Sequence, residues 1–183
     1  GKYAYIKPGL GIAGGNLERD LKSVIQITNK INVNNDLFKS WDRNSKFMKN
    51  WALNEFNHLS SNKRNLKISI LGLTYKENTN SIKNSAAIKI IKRMKDYSIS
   101  TYDPAADKDI NFRNLIRFES AINAIKGSDA LLIMTPWPEF KNITSKQLSK
   151  NMKGKIIIDP YNVFKDQNLS KKGFKYSSIG ESL

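Results

Sequence analysis

Between residues 67 and 104 the chain changes hydrophobic period twice. Residues 68–73 form a short apolar run rich in Ile and Leu and broken by Ser69, the pattern of a strand buried on both faces. From Ile82 the spacing becomes helical, with Ile82, Ala86, Ile90 and Met94 in one row, Ala87 and Ile91 beside them, and Ser81 in position to cap the first turn. Residues 98–102 return to a strand pattern and end in Asp103-Pro104. The pattern predicts a strand, a crossover helix and a second, parallel strand, a unit that is right-handed almost without exception. The loop after its first strand leaves a strand carboxyl end, where open parallel sheets hold ligands.

Upstream, the spacing predicts a helix over 17–31 and a second over 36–59. The second carries Leu37, Trp41, Met48, Ala52, Phe56 and Leu59 on one stripe and Phe38, Phe47 and Trp51 on the next. So wide an apolar face either packs inside its own monomer or is shared across a homodimer, and the short stretch of chain before it favours the dimer. The polar run SSNKRN, residues 60–65, reads as a linker, dividing the chain into 1–62 and 63–183. Downstream, residues 107–118 hold a charged connection with room for one short strand, and the helix predicted from Glu119 stops at Gly127. A buried strand over 129–135, a helix over 144–152 capped by Thr144, a strand over 155–159 and an edge strand in the tail complete the pattern. Alternation of this kind predicts an α/β fold, an open parallel sheet with helices on both faces, preceded by a helical dimerisation segment.

Composition narrows the function classes. The chain has 31 basic and 16 acidic residues, a net charge of +15, which suits nucleic acid. The basic residues are spread along the whole chain, however, and 25 of the 31 are Lys, whereas phosphate readers favour Arg for its fork geometry. No nucleic-acid partner is expected. No apolar run is long enough to span a bilayer and the N-terminus lacks a signal-peptide core, so a cytoplasmic protein without a membrane partner is expected. The absence of Cys removes disulfides, thiolate metal sites and a thiol nucleophile, and lone His58 has no second histidine to join, so no metal is expected.

The candidate chemistry lies in loops. Gly9, Gly11 and Gly14 satisfy the G-x-G-x-x-G spacing, but Pro8 interrupts the approach and NVNND near residue 34 is no buried strand. A Gly-rich loop backing onto a helix N-terminus, serving an anion or a substrate, is the better reading. TYKENTNS, TPWPEF and DPYNVF all follow strands, and parallel strands bring their carboxyl ends to one rim. There Lys76, Lys83 and a helix start at Ser81 suit a phosphate, although solvated lysines are the ordinary alternative. Trp137, between two prolines, is placed either to stack on a base or to plug the sheet edge.

GLGIAGGNLERDL, ILGLTYKENTNSIKNSAA, TYDP, SDALLIMTPWPEF, IIIDPYNVF and YSSIG, in this order, resemble the UDP-glucose/GDP-mannose dehydrogenase family. The resemblance runs from about residue 8 to the end and covers the last part of the family's central helical domain and its C-terminal, Rossmann-like UDP-binding domain. It implies a parent enzyme that oxidises the C6 alcohol of a UDP sugar with NAD, holding the aldehyde stage on a cysteine, and that is a dimer through central-domain helices. NAD would be bound mainly by a domain outside this chain, which alone is expected to be inactive.

On the family's Gly-Gly-x-Cys-x-x-Lys-Asp loop, Asn16 stands at the cysteine, Arg19 at the lysine and Asp20 at the aspartate, and these three are the catalytic candidates. An amide cannot form a thiohemiacetal. Asp20 can still orient water and Arg19 can stabilise an oxyanion. An engineered substitution, a branch that stops at the aldehyde or uses water directly, and a branch with another product all fit Asn16. The resemblance assigns Gly11, Gly14, Gly15, Lys76 and Tyr161 to substrate binding and Lys83 to the cofactor, with Lys83 and Tyr161 both standing where the family carries arginine. The alternative is a non-catalytic nucleotide-sugar-binding or dimerisation module that has lost the reaction.

Overall fold

The computed structural model describes residues 9–107 and 109–180. Six strands form one parallel sheet: β1 (Lys67–Leu71), β2 (Ser98–Tyr102), β3 (Leu115–Arg117), β4 (Ala130–Ile133), β5 (Ile156–Ile158) and β6 (Lys175–Ser177). Their order is β3-β2-β1-β4-β5-β6, with Ile68 opposite Ile99 on one side and Ala130 on the other. The direction of winding therefore reverses between β1 and β4. This is the open, doubly wound α/β sheet, and its ligand crevice belongs at that reversal.

Both faces are covered, as the continuous apolar strands require. Ile68, Ile70, Ala130, Leu132 and Ile158 point to the face packed with α2 (Asp36–Leu59) and α3 (Ala86–Arg93). Leu71, Leu131, Ile133 and Ile157 point to the other, beneath α4 (Ala121–Ile125) and α5 (Ser145–Asn151). Thr144 caps α5 in a reciprocal box with Gln147, as its position in the sequence predicts.

Helix α1 (Asn16–Lys30) packs on α2, and the two are joined at both ends. The Lys49 ammonium, almost fully buried, lies 2.8 Å from the Glu18 carboxylate. At the other end the Asn35 amide donates to Thr28 Oγ1 and to Asn29 Oδ1, each at 2.8 Å. Helix α2 is divided along its length. Ala52, Leu53 and Phe56 are buried against the sheet, whereas Leu37, Trp41 and Phe47 remain 51–60% exposed.

One sequence expectation is corrected. The helix of the first βαβ unit starts at Ala86, not Ile82, and its cap is Ser85, whose Oγ accepts the Ala87 N–H at 3.2 Å. Asn84 is in the left-handed region at φ 56°, which ends any helix running through 82–85, and Ser81 sits in a turn closed by Thr79 Oγ1. The glycine loop is read from the sequence as no dinucleotide fingerprint, and the described residues agree with that. Residues 9–15 lead into α1, and the stretch near residue 34 is the connection between two helices. Pro8 lies outside the described residues. Seven asparagines, among them Asn78, Asn84 and Asn162, hold left-handed turn positions, so the Asn-rich composition does local work that bias alone does not explain.

Candidate functional site

Two buried aspartates organise the carboxyl edge of the sheet. Asp103, directly after β2, accepts six hydrogen bonds. Its Oδ2 takes the Leu73 N–H at 2.6 Å, the Thr74 N–H at 3.0 Å, the Thr74 hydroxyl at 3.1 Å and the Trp137 indole N–H at 3.1 Å. Its Oδ1 takes the N–H groups of Ala105 and Ala106. Burial opposes ionisation, but the backbone N–H groups of Thr74, Leu73, Ala105 and Ala106 outweigh it and hold this carboxyl below the ordinary aspartate value. Asp159, after β5, takes the N–H groups of Tyr161 and Phe164 and the Tyr176 hydroxyl. It is fully buried, and there burial prevails and raises the carboxyl above its ordinary value.

The mouth of the crevice between β1 and β4 is filled from within. Trp137 is 8% exposed, so of its two sequence readings the structure selects the plug. Thr135 Oγ1 donates to the Thr74 carbonyl at 2.6 Å, and Gly72, at φ 91°, lets the chain pass so close to Thr135 that a Cβ would stand 2.5 Å from its backbone nitrogen. Between the ends of β2 and β3 lies a cleft of about 330 Å³ lined by Tyr102, Arg117, Phe118 and Glu119. The Arg117 guanidinium donates to the carbonyls of Ala106 and Asp107 and so serves its own loop.

The chemistry therefore moves outward, to where the loop after β1 meets the glycine loop of residues 9–15. The Gly14 N–H donates to the Lys83 carbonyl at 3.0 Å, and the Asn84 amide donates to the Gly14 carbonyl at 2.7 Å. A Cβ on Gly14 would stand 3.1 Å from the Tyr75 ring, and one on Gly15 would stand 3.2 Å from the Lys83 ammonium. Lys76 is exposed, with its ammonium 5.7 Å from the Tyr75 ring centre. Helix α1 begins here without a side-chain cap. Its positive dipole end and the Lys83 ammonium share one small region, an arrangement that favours an anion between them. Among the described residues no three His, Cys, Asp or Glu side chains gather as a metal site.

The residues singled out from the sequence divide into three groups. Gly14, Gly15, Lys83 and the exposed Asn16 come together at the start of α1, with Lys76 near by through Tyr75. Arg19 and Asp20 lie one turn on, mostly exposed and paired with each other at 2.9 Å. Gly11 and Tyr161 hold the loop in place. Gly11, at φ 80°, abuts the Ser45 carbonyl of α2, while Ser45 Oγ accepts the Ile12 N–H at 2.9 Å. The Tyr161 ring lies against Gly9. Burial pushes its phenol up to about 12 against the pull of the Leu10 N–H, which its oxygen accepts. Sequence reasoning missed Tyr75, Asn84 and Asp103. An acidic residue directly after a buried strand was the available signal for Asp103.

The two aspartates set opposite pH dependences. The folded value of Asp103 is depressed, so its contribution is present above the unfolded aspartate value and is lost as pH falls through the folded one. The folded value of Asp159 is raised, so its contribution is present at low pH and is lost as pH rises through that value. In urea denaturation between about pH 3 and pH 7, Asp103→Asn should flatten the loss of stability on acidification and Asp159→Asn should steepen it, each by up to roughly 1.4 kcal/mol per pH unit.

Comparison with known proteins agrees with this geometry. The model of the UDP-glucose/GDP-mannose dehydrogenase family, UDP binding domain, matches residues 69–166. The UDP-glucose 6-dehydrogenase of Rickettsia prowazekii is 28% identical over 98% of this chain and 43% of its own length. The structure of a UDP-D-ManNAc dehydrogenase from Pyrococcus horikoshii superposes with a TM-score of 0.75 at 28% identity, covering 98% of this chain and 42% of that one. A UDP-glucose dehydrogenase from Pyrobaculum islandicum shares the fold, with a TM-score of 0.80 at 18% identity over 95% of this chain and 39% of its own. The chain thus spans less than half the length of these relatives. With its doubly wound sheet and a family match over more than half of its residues, the chain belongs to the UDP-glucose/GDP-mannose dehydrogenase family and carries its UDP-binding domain.

Proposed function

We propose that this chain is the UDP-binding portion of an NAD-dependent UDP-sugar 6-dehydrogenase, in which the diphosphate lies on the rim built by Lys76, Lys83 and the start of α1. The observation that carries the reading is the convergence of the Lys83 ammonium, the Gly14–Gly15 backbone and the uncapped N-terminus of α1. An ammonium and free backbone N–H groups are the donors a pyrophosphate needs. The Tyr75 ring offers a flat surface beside them. NAD supplies the hydride acceptor and is held mainly by another domain, because the crevice of this sheet is plugged by Trp137. Lys83, besides its place on this rim, would be the residue of this chain nearest the cofactor held by the other domain. Residues 1–62 close the central domain and 63–183 form the UDP-binding domain. The exposed Leu37, Trp41 and Phe47 of α2 support a homodimer through 37–59.

Titration calorimetry with UDP and UDP-glucose tests the rim. Lys76→Met and Lys83→Met are each expected to weaken binding about tenfold, with Lys171→Met as an unaffected control. Absence of heat from the unsubstituted chain at millimolar ligand would remove the reading. For the dimer, sedimentation velocity should show a two-chain species that Trp41→Glu combined with Phe47→Glu converts to monomer. A single-chain species from the unsubstituted protein would refute it.

Asn16 bears on the reaction of the parent enzyme. Its amide is exposed at the first residue of α1. Without an ionisable sulfur it cannot hold the aldehyde covalently, so the second oxidation needs a hydrated aldehyde or does not occur. In the full-length parent, Asn16→Cys is expected to raise the yield of NADH per sugar. An unchanged yield would show that Asn16 is not the impediment. The second reading, a module that binds but does not oxidise, rests on the same Asn16 and on Tyr161 being engaged with Leu10. Any NADH formed by the unsubstituted parent from a UDP sugar would exclude it.

A further inference from the structure

Asp103 is 5% exposed and touches nothing on the rim directly, yet it joins three loops. Through Leu73 and Thr74 it holds the segment that carries Tyr75 and Lys76, through Ala105 and Ala106 its own loop, and through Trp137 the loop after β4. In a dinucleotide-binding sheet the acidic residue after the second strand reads a ribose. Here that position is turned inward and all six of its bonds are internal. The chain leaves the Asp103 bonds at Thr74 and reaches Lys76 two residues later, while the Thr74 carbonyl is fixed in turn by Thr135. The Lys76 ammonium lies 5.7 Å from the Tyr75 ring centre.

We propose that Asp103 is the positioning residue of the phosphate rim, and that with Trp137 and Thr74 it sets where Lys76 stands. The inference rests on the reading of the rim given above. A carboxylate suits the task because it accepts on both oxygens, and an amide in its place would turn two N–H groups toward existing donors. Trp137 fits the same account: its indole N–H is spent on Asp103 and is not available to a ligand.

Two mild substitutions test this in the full chain. Trp137→Phe removes the indole donor and keeps an aromatic ring, and Thr74→Val removes the hydroxyl donor with little change of shape. In hydrogen–deuterium exchange without ligand, both should lower protection of residues 74–85 about tenfold and leave β1 and β4 unchanged. In calorimetry each should weaken UDP binding about fivefold in the Lys76 protein and less than about twofold in the Lys76→Met background, because the effect acts through Lys76. Unchanged exchange over 74–85 in both variants would overturn the proposal. So would an equal loss of affinity with and without Lys76, which marks general destabilisation. If the unsubstituted chain binds no UDP, the reading of the rim fails, and the exchange measurement alone decides the role of Asp103.

Discussion

A buried carboxylate must have its hydrogen bonds satisfied, and the edge of this sheet is arranged around one that is. Asp103 takes six donors from three loops that are far apart in the chain. Because backbone N–H groups favour the charged form, the carboxyl stays ionised where burial alone would neutralise it. Asp159 shows the other balance at the end of β5, where burial exceeds its donors and the carboxyl is raised. Both aspartates follow buried strands, and each closes the turn that sends the chain to the rim.

With the crevice closed by Trp137, the glycine loop becomes the inner wall of the candidate site. Residues 9–15 are held from three sides: by Ser45 of α2, by Tyr161 after β5, and by Lys83 and Asn84 of the loop after β1. Gly11 and Gly14 are required by their positive φ and by what a Cβ would meet, the Ser45 carbonyl in one case and the Tyr75 ring in the other. Tyr161 packs its ring against Gly9. It serves here as a hold on Leu10, so its ring contributes to the wall while its hydroxyl is already engaged. In the proposed rim the donors are thereby Lys76, Lys83 and the first backbone N–H groups of α1.

Helix α2 links this site to the exterior. Its C-terminal half, with Phe56 fully buried, is part of the core beneath the sheet, and its N-terminal half carries Leu37, Trp41 and Phe47 into solvent. The Lys49–Glu18 pair between α1 and α2 lies one turn from Asn16. The position of Asn16 therefore depends on α2 as well as on the sheet. Glu18 also pairs with Lys22 at 3.1 Å, so its carboxylate keeps a partner without Lys49, whereas the almost fully buried Lys49 ammonium would be left unpaired without Glu18, which costs more than a surface pair contributes.

The local period of apolar residues determined the order of elements, the parallel sheet covered on both faces and the three strand-end loops, because burial on two faces requires continuous apolar strands and parallel connection requires crossovers. Thr144 as a cap was equally legible, since its partner Gln147 is three residues away. The start of α3 was not. Ser81 and Ser85 are both plausible caps, and the choice falls to Ser85 because the Lys83 carbonyl and the Asn84 amide are engaged by Gly14, 70 residues distant in the case of the amide. The roles of Asp103 and Trp137 likewise rest on bonds 29 to 34 residues apart. Periodicity reports which face of an element is buried, but the destination of a polar group is decided only when distant segments meet, and that belongs to the tertiary structure.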